Sequence, residues 1–542
     1  MMTYPGRSPR LPYGYRTGND AGRDVEKSAE AEVVRRGKAP GDASPATADQ
    51  GPNLLTQGAD REDSMEAERQ QRSTYWEMLE KLTPKVSRHE AGSAEVVQPS
   101  PVEDLSSASV KPRPTSAYDR DRALTFSLME QVVDTANLNR AYARVKANKG
   151  APGTDGMSVG QLAGWISEHK QALIASLLDG SYQPQPVRGV QIPKPGGGMR
   201  QLGIPTVVDR LVQQAMLQVL EPILDPTFSE SSYGFRPGRG AHDALRKARE
   251  FVADGRDIVV DIDLEQFFDR VNHDVLMNRL SRRVEDKRML KIIGRFLRAG
   301  MMSDGVCVNR EQGTPQGGPL SPLLSNLLLD DLDKELERRG HCFCRYADDC
   351  NIYVRSLKAG ERVMNSVSRL LEQKLRLRVN REKSAVASVE ERKFLGHRLR
   401  PGGLMGIAPQ SLARAKERVR QITRRSRGVS IEQVIDELNK FLTGWVAYFR
   451  YAECRSQLGK IDGWVRRKLR CLRLKQCRFM QPIANWLQKL GVPRRRAWLV
   501  AQSGRGWWRL ADGPGCKEGM SLAWFNSLGL VSLSTRYEQL QG

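Results

Sequence analysis

The stretch that decides the fold reads VVDIDLEQFFD, residues 259–269, and its partner reads YADD, residues 346–349. β-Branched residues alternate with acidic ones in the first stretch, which predicts a short strand over Asp257–Leu264. The second stretch joins two predicted strands, Cys342–Tyr346 and Cys350–Val354. Carboxylates crowded at strand ends repel one another and raise one another's pKa, and a bound divalent cation offsets this repulsion. The pairing therefore predicts a site for two Mg²⁺ ions, although Asp-Asp alone is also common in ordinary hairpin turns.

The elements predicted around these stretches mix helices with strands, which indicates an α+β fold. Val187–Pro193 alternates as a strand, and Gln201–Pro205 returns as its hairpin partner across a Gly-rich turn. Arg392–Leu399 is predicted as a further strand, and nearly all of the chain beyond Pro409 as helix. Apolar periodicity predicts the remaining helices, at Leu124–Ala147, Val159–Leu178, Val207–Leu224, His273–Leu280, Asp286–Leu297, Leu323–Arg338 and Gly360–Leu375.

The positive charge is concentrated outside the N-terminal part of the chain. The 542 residues include 86 Lys and Arg against 63 Asp and Glu, a net charge of +23. Residues 1–120 hold 17 basic and 19 acidic side chains, so the remaining 422 residues carry +25. A basic excess of this size in a large chain indicates a polyanionic partner, most simply a nucleic acid.

The N-terminal segment differs in composition from the rest of the chain. Residues 1–118 are rich in Gly, Pro, Ser, Ala and Asp, which predicts a disordered extension. Within it, Ser73–Leu82 has helical spacing, read either as a transient helix or as a partner-docking segment. Residues 1–10 lack the apolar core of a secretory signal, and no apolar run is long enough to span a membrane. Eight cysteines without a Cys-x-x-Cys pair indicate reduced thiols.

The acidic motifs resemble those of a known family. YADD resembles the Tyr-x-Asp-Asp box of reverse transcriptases, and residues 263–269 resemble their first catalytic motif. Further motifs follow the order typical of group II intron-encoded reverse transcriptase/maturases, and the resemblance covers residues 124–535. These motifs are IPKP (192–195), RQLGIP (200–205), YGFRPG (233–238), GTPQGGPLSP (313–322), NREKS (380–384) and FLG (394–396).

The resemblance implies a right-hand polymerase fold with an α-helical thumb. Fingers and palm, with an antiparallel sheet, would occupy residues 119–400, and the thumb or maturase X domain residues 401–480. A basic, Trp-rich extension would follow at 481–542. The implied catalytic residues are Asp263, Asp348 and Asp349, and the implied metal site comprises Asp263, Leu264, Asp348 and Asp349. Asp263 is preferred to Asp261 because the family places a bulky aromatic five residues after the ligand, where Phe268 stands.

The resemblance also implies contacts with the incoming nucleotide. Phe268 would be the steric gate, whose ring fills the space of a ribose 2′-hydroxyl. Lys383 would assist the departure of pyrophosphate, although an ordinary helix-flanking lysine is the alternative. The other implied dNTP-binding residues are Lys194, Arg200, Gln316 and Gly317. Lys194 and Arg200 suit a triphosphate through charge-assisted contacts, unless they are merely solvated cations on a fingertip.

Two dense basic segments in the C-terminal part predict contacts with RNA. Their cations repel one another on a lone helix, and a phosphate backbone relieves that repulsion. The aromatic stripe between them, Leu438–Phe449, is predicted to be core rather than a base-stacking platform. GWVAYFR, residues 444–450, resembles the maturase X domain. The predicted RNA-binding residues are Arg414, Arg418, Arg424, Arg425, Arg466, Arg467 and Lys468.

The resemblance thus implies an RNA-directed DNA polymerase that is also an intron maturase. Its partners would be group II intron RNA, an RNA template with a DNA primer, dNTPs and target DNA, without a membrane. No histidine follows His397, so the metal-dependent endonuclease found in many relatives is not expected. The expected location is the bacterial cytoplasm, with nucleoid association during work on DNA. A splicing-only maturase and a domesticated host-defence reverse transcriptase remain the alternatives.

Overall fold

A computed structural model describes residues 127–193, 199–303, 306–308 and 310–541. The predicted N-terminal extension, the Ser73–Leu82 segment, the Gly-rich turn and Lys194 lie outside these residues. The strands are β1 (Val187–Pro193), β2 (Met199–Ile204), β3 (Ile258–Ile262), β4 (Met301–Ser303), β5 (Val306–Val308), β6 (Cys342–Tyr346), β7 (Asp349–Val354), β8 (Ala385–Ser388), β9 (His397–Arg400) and β10 (Leu404–Ile407).

The helices precede, separate and follow the strands. Those up to residue 369 are α1 (Leu128–Val133), α2 (Thr135–Asn148), α3 (Leu162–Leu178), α4 (Val207–Leu224), α5 (Ala241–Ala253), α6 (Phe267–Arg270), α7 (His273–Ser281), α8 (Lys287–Arg298), α9 (Ser321–Arg338) and α10 (Leu357–Arg369). The C-terminal helices are α11 (Pro409–Ile422), α12 (Ile431–Tyr448), α13 (Arg455–Cys477), α14 (Met480–Lys489), α15 (Arg494–Ala501), α16 (Trp507–Leu510), α17 (Pro514–Gly519), α18 (Leu522–Ser527) and α19 (Leu533–Gln541).

A four-stranded antiparallel sheet in the order β6-β7-β3-β8 forms the palm. Helices cover both faces. Successive residues of a strand point to opposite faces, so alternate residues of each strand enter different cores. Val260, Ile262 and Ile352 pack into the core that includes α9 and α10. Val259 and Tyr353 pack with α5 on the opposite face. Burial on both faces explains why β3 is apolar apart from Asp261.

A second four-stranded sheet holds the fingers hairpin. Its order is β2-β1-β4-β5, with β1 antiparallel to β2 and parallel to β4. The alternation of Val187–Pro193 predicted β1 with its observed bounds. The sequence pattern did not predict β4 and β5, because three-residue strands are too short to show periodicity.

The C-terminal helices share one apolar core that runs from Ile407 to Leu533. The aromatic stripe of α12 enters it, with Leu438, Leu442 and Trp445 buried, so the prediction that the stripe is core is confirmed. The whole architecture is α+β with an antiparallel palm sheet and a helical C-terminal part, as the sequence predicts. Among the described residues, no helix combines the length and apolar character needed to cross a bilayer.

Two predicted elements differ from the observed ones by more than their ends. The helix predicted over Leu124–Ala147 breaks at Asp134, whose carboxylate accepts hydrogen bonds from the backbone N–H groups of Ala136 and Asn137 and starts a new helix. The strand predicted over Arg392–Leu399 is confined to β9. Leu395 and Gly396 both have positive φ and form a tight turn just before it.

Candidate active site

The predicted catalytic carboxylates lie on adjacent strands of the palm sheet. Ile262 of β3 pairs with Cys350 of β7, so Asp263 and Asp349 stand one residue beyond that pair on neighbouring strands. Tyr346 pairs with Asp349 across the β6–β7 hairpin, which places Asp348 in the two-residue turn. The topology therefore brings these three aspartates to one end of the sheet.

Several backbone and side-chain contacts fix Asp263. Its N–H donates to Ser384 Oγ (3.0 Å), and its carbonyl accepts from the N–H of Asn380 (2.8 Å). Lys383 Nζ lies 3.3 Å from Asp263 Oδ2, an oxygen that is buried and accepts no hydrogen bond within standard geometry. The loop that carries Lys383 is thus tied to the end of β3.

Negative charge accumulates at this end of the sheet. Burial raises the pKa of Asp349 to about 8, and the nearby carboxylates of Asp261, Asp348 and Asp263 add to the shift. Burial, followed by the charge of Asp263, also raises the pKa of Asp348, while the positive charge of Arg200 lowers it. The positive charge of Lys393 lowers the pKa of Asp349, but the pKa stays raised despite it.

These features fit a cationic cofactor in their chemistry. The described residues contain no group of three His, Cys, Asp or Glu side chains already arranged as metal ligands. Mutually repelling carboxylates, with an oxygen of Asp263 that lacks a hydrogen bond, are nevertheless the donors that Mg²⁺ prefers. Leu264 is buried and has no ligand atom in its side chain, so only its backbone carbonyl could contribute.

Asp261 stands in a different environment from Asp263. The guanidinium of Arg392 contacts its carboxylate through Nε (2.8 Å) and Nη2 (2.5 Å). The same guanidinium donates to the backbone carbonyl of Lys383. Asp261 therefore ties β3 to the Lys383 loop through a charge-paired contact, which suits the preference for Asp263 over Asp261 as the metal ligand.

The predicted nucleotide-binding residues of the described regions gather around the same end of the sheet. The carbonyl of Phe268 accepts from the N–H of Thr314 (2.6 Å), which places the 313–317 loop beside the predicted gate. The N–H of Gly203 donates to the carbonyl of Gln316 (3.0 Å), which joins this loop to the strand of Arg200. A Cβ atom on Gly317 would lie 2.7 Å from the carbonyl oxygen of Gly203, so this approach requires glycine.

The predicted RNA-binding cations form a second charged region. Arg414 and Arg418 are exposed on α11, and Arg424 and Arg425 are exposed just beyond it. Arg466, Arg467 and Lys468 are half-buried on α13. The two segments meet, since Arg425 Nη1 lies 3.6 Å from Cys471 Sγ of α13 and the Arg420 guanidinium lies 5.8 Å from the centre of the Trp464 ring. Burial lowers the pKa of Lys468, and the charges of Arg420 and Arg425 add to this effect.

An open cavity of about 560 Å³ lies beside the cations of α13. Arg467 donates to the carbonyl of Trp508 and stands 4.1 Å from the centre of its ring. Lys468 lies within 6 Å of the rings of Trp464 and Trp508. Arg467 is therefore partly committed to holding α16 against α13, a packing role that charge density alone did not indicate.

The sequence analysis missed two arginines near the carboxylates. Arg392 holds Asp261, and Arg345 hydrogen-bonds the turn that carries Asp348. Arg345 precedes the YADD motif on a strand whose other members are apolar or aromatic. A charged residue at an inward-facing strand position was the available signal, but only the structure shows its partners.

Comparisons with known proteins match two parts of the chain. Residues 192–399 match the family described as "Reverse transcriptase (RNA-dependent DNA polymerase)", and residues 412–490 match "Group II intron, maturase-specific domain". The chain is 36% identical to Protein YkfC of Escherichia coli (strain K12), over 47% of this chain and 77% of that protein.

Two other similarities cover smaller shares of longer chains. The chain is 41% identical to the Group II intron-encoded protein LtrA of Lactococcus lactis subsp. cremoris, over 36% of this chain and 32% of LtrA. It therefore spans about a third of the length of that relative. A solved chain of a partial Cas6-RT-Cas1–Cas2 complex is 26% identical, with a TM-score of 0.31, over 46% of this chain and 43% of that one.

Proposed function

Because this chain belongs to the family of group II intron-encoded reverse transcriptases and maturases, we propose that it copies RNA into DNA and assists the splicing of a group II intron. The observation that carries the proposal is the pairing of β3 with β7, which sets Asp263 beside the Asp348–Asp349 hairpin. Carboxylates from two strands at one sheet end suit metal-assisted nucleotidyl transfer.

The metal site of this proposal includes a buried oxygen of Asp263 that accepts no hydrogen bond. Asp263, Asp348, Asp349 and the carbonyl of Leu264 would hold two Mg²⁺ ions. Once bound, the ions would activate the primer hydroxyl and neutralise the triphosphate. Lys383, in its ion pair with Asp263, lies where an ammonium could stabilise the leaving pyrophosphate.

The nucleotide-binding part of the proposal rests on the loop around Phe268. The Phe268 ring would exclude a ribose 2′-hydroxyl and so favour dNTPs. Gln316 and Gly317 would lie against the nascent base pair, since their loop is bonded to both Phe268 and Gly203. Arg200, whose charge acts on Asp348, would contact the triphosphate, together with Lys194.

The maturase part of the proposal rests on the C-terminal cations. Exposed arginines on and after α11 and half-buried cations on α13 would contact phosphates of folded intron RNA. The same surface would hold the RNA template with its DNA primer, and target DNA during insertion. With these partners, the protein would act in the bacterial cytoplasm and at the nucleoid.

Primer extension tests the polymerase assignment directly. The purified chain with Mg²⁺ should extend a DNA primer on an RNA template, and Asp348→Ala should abolish extension while RNA affinity stays within threefold. Asp436→Ala is the matched control, because Asp436 is exposed on α12 and pairs only with Lys440 among the described residues. Extension by Asp348→Ala would reject the assignment, whereas intron splicing without any extension would favour the splicing-only maturase.

A further inference from the structure

The turn between β6 and β7 holds its first residue in an uncommon conformation. Ala347 has a φ of 59°, in the left-handed region that residues with a Cβ atom avoid. Such a conformation persists only where surrounding contacts hold it. Since the turn contains Asp348 and leads into Asp349, the contacts that hold it also determine where both carboxylates lie.

The buried side chain of Arg345 makes the principal side-chain contact with this turn. Its Nη1 donates to the carbonyl of Ala347 (2.8 Å) and to Asn326 Oδ1 (2.9 Å). Its Nη2 donates to Ser232 Oγ (2.7 Å) and Asp333 Oδ2 (2.6 Å), and its Nε donates to Asp333 Oδ1 (2.7 Å). All five N–H donors of the guanidinium therefore make hydrogen bonds, and one of these bonds is to the turn.

Arg345 approaches the turn from the face of the sheet opposite the Asp349 side chain. Successive residues of a strand point to opposite faces. Arg345 is paired with Cys350 and faces α9, which supplies Asn326 and Asp333. Asp349 is paired with Tyr346, one residue along, and therefore lies on the other face. Arg345 thus acts on the backbone of the turn and not on a substrate at the carboxylates.

A second set of contacts closes around the turn from residues 231–235. The N–H of Tyr233 donates to the carbonyl of Arg345, and Asn326 Nδ2 donates to the carbonyl of Gly234 (both 2.9 Å). A Cβ atom on Gly234 would lie 2.3 Å from the backbone nitrogen of Ala347. The YGFRPG motif therefore packs directly on the turn, and Asn326 bonds both this motif and Arg345.

A buried arginine–aspartate pair is not in itself a sign of function, because apolar replacements of such pairs often leave stability unchanged. Arg283 also pairs with a buried aspartate of α9, Asp330, although the Arg283 side chain is about a quarter exposed and Lys334 contacts the same carboxylate. Within the described part of the chain, however, Arg283 makes no hydrogen bond to residues 346–349. The bond to the Ala347 carbonyl is what distinguishes Arg345.

We propose that Arg345 is a positioning residue that locks the left-handed Ala347 turn and so sets the placement of Asp348 and Asp349. Asn326, Asp333 and Ser232 fix the guanidinium, so that it transmits the position of α9 to the hairpin. The inference rests on the proposed polymerase function for its kinetic consequence, but the geometry of the hairpin can also be tested without catalysis.

Two matched substitutions, Arg345→Lys and Arg283→Lys, test this role. Lysine keeps the buried charge but cannot reach five acceptors in fixed directions. In primer extension, Arg345→Lys should lower kcat at least 10-fold with KM for dNTP within threefold. Its affinity for Mn²⁺, measured by electron paramagnetic resonance without substrate, should fall at least fivefold. Arg283→Lys should change neither quantity by more than twofold.

The outcomes separate this inference from the proposed function. If the wild type extends primers and Arg345→Lys matches it, the positioning role is wrong and the polymerase assignment stands. Equal losses in both lysine variants would reduce Arg345 to a general stabilising residue and would also overturn the inference. If the wild type does not extend primers, the polymerase assignment fails, and the Mn²⁺ affinities of the two variants still decide whether Arg345 positions the hairpin.

Discussion

The palm sheet and the segment on and after α11 differ in how their charged side chains are held. In the palm, Arg345 uses all its donors, Arg392 is locked onto Asp261, and Lys383 meets Asp263. On and after α11, Arg414 and Arg424 are exposed and form no ion pair with a described residue. Chemistry at a reacting centre needs atoms in fixed positions, whereas a repeating phosphate backbone needs only sufficient density of charge.

The sharpest test of this contrast compares Asp261 on β3 with Asp263 just beyond its end. Asp263→Asn should reduce primer extension by about 1,000-fold or more, because it removes a charged ligand from the proposed metal site. Asp261→Asn should cost far less, about 10-fold, since Asp261 is paired with Arg392. Single-turnover extension measures both. Equal losses would show that Asp261 is as important to the metal site as Asp263, despite its pairing with Arg392.

Phe268 tests whether fixed position extends to substrate choice. Phe268→Ala should lower the preference for dNTP over the matching NTP by about 100-fold, since the ring no longer excludes the 2′-hydroxyl. The measurement is the ratio of kcat/KM values for the two nucleotides. Phe268→Tyr, which keeps the ring, should leave the ratio nearly unchanged. An unaltered ratio in Phe268→Ala would show that Phe268 is not the steric gate.

The C-terminal cations test the other side of the comparison. Replacing Arg414, Arg418, Arg424 and Arg425 together by Gln should weaken RNA binding roughly 50-fold and reduce the slope of log K against log salt by about 3. Each single change should have a small effect, because no one contact is unique. Lys440→Gln is the control, as Lys440 is already paired with Asp436. A loss confined to one arginine would indicate a specific contact and would contradict the density argument.

The same contrast decided what the sequence could predict. Alternation and apolar runs predicted β1 and α4 with their observed bounds, because burial on defined faces imposes those patterns. The acidic motifs predicted which carboxylates share a sheet end. Arg345 and Arg392 could not be predicted, since their roles depend on partners that are distant in the chain and brought together only by the sheet. The C-terminal cations were predicted to bind RNA from their density in the sequence, and their effect on binding is likewise expected to depend on their number.

The junction between the two regions gives the smallest expected effect. His397 of β9 is buried against Tyr448 and Phe449. Burial lowers its pKa to about 4, whereas a histidine in the unfolded chain has a pKa of about 6.5. The folded state binds the proton of His397 less well than the unfolded state does. The contribution of neutral His397 to the free energy of unfolding is therefore fully present above about pH 6.5 and is lost as the pH falls toward 4. The free energy of unfolding should therefore fall by about 2 kcal/mol more in the wild type than in His397→Phe between pH 7 and pH 4.5.

Denaturant titration with fluorescence from the C-terminal tryptophans measures this difference. His242, whose pKa burial also lowers and whose Nε2 contacts the carbonyl of Tyr448, remains in both proteins and contributes equally to both. Parallel pH profiles for the wild type and His397→Phe would mean that water reaches His397. The packing of β9 against α12 would then be looser than the packing of the palm sheet. The fixed side-chain geometry of the palm would in that case end before residue 397.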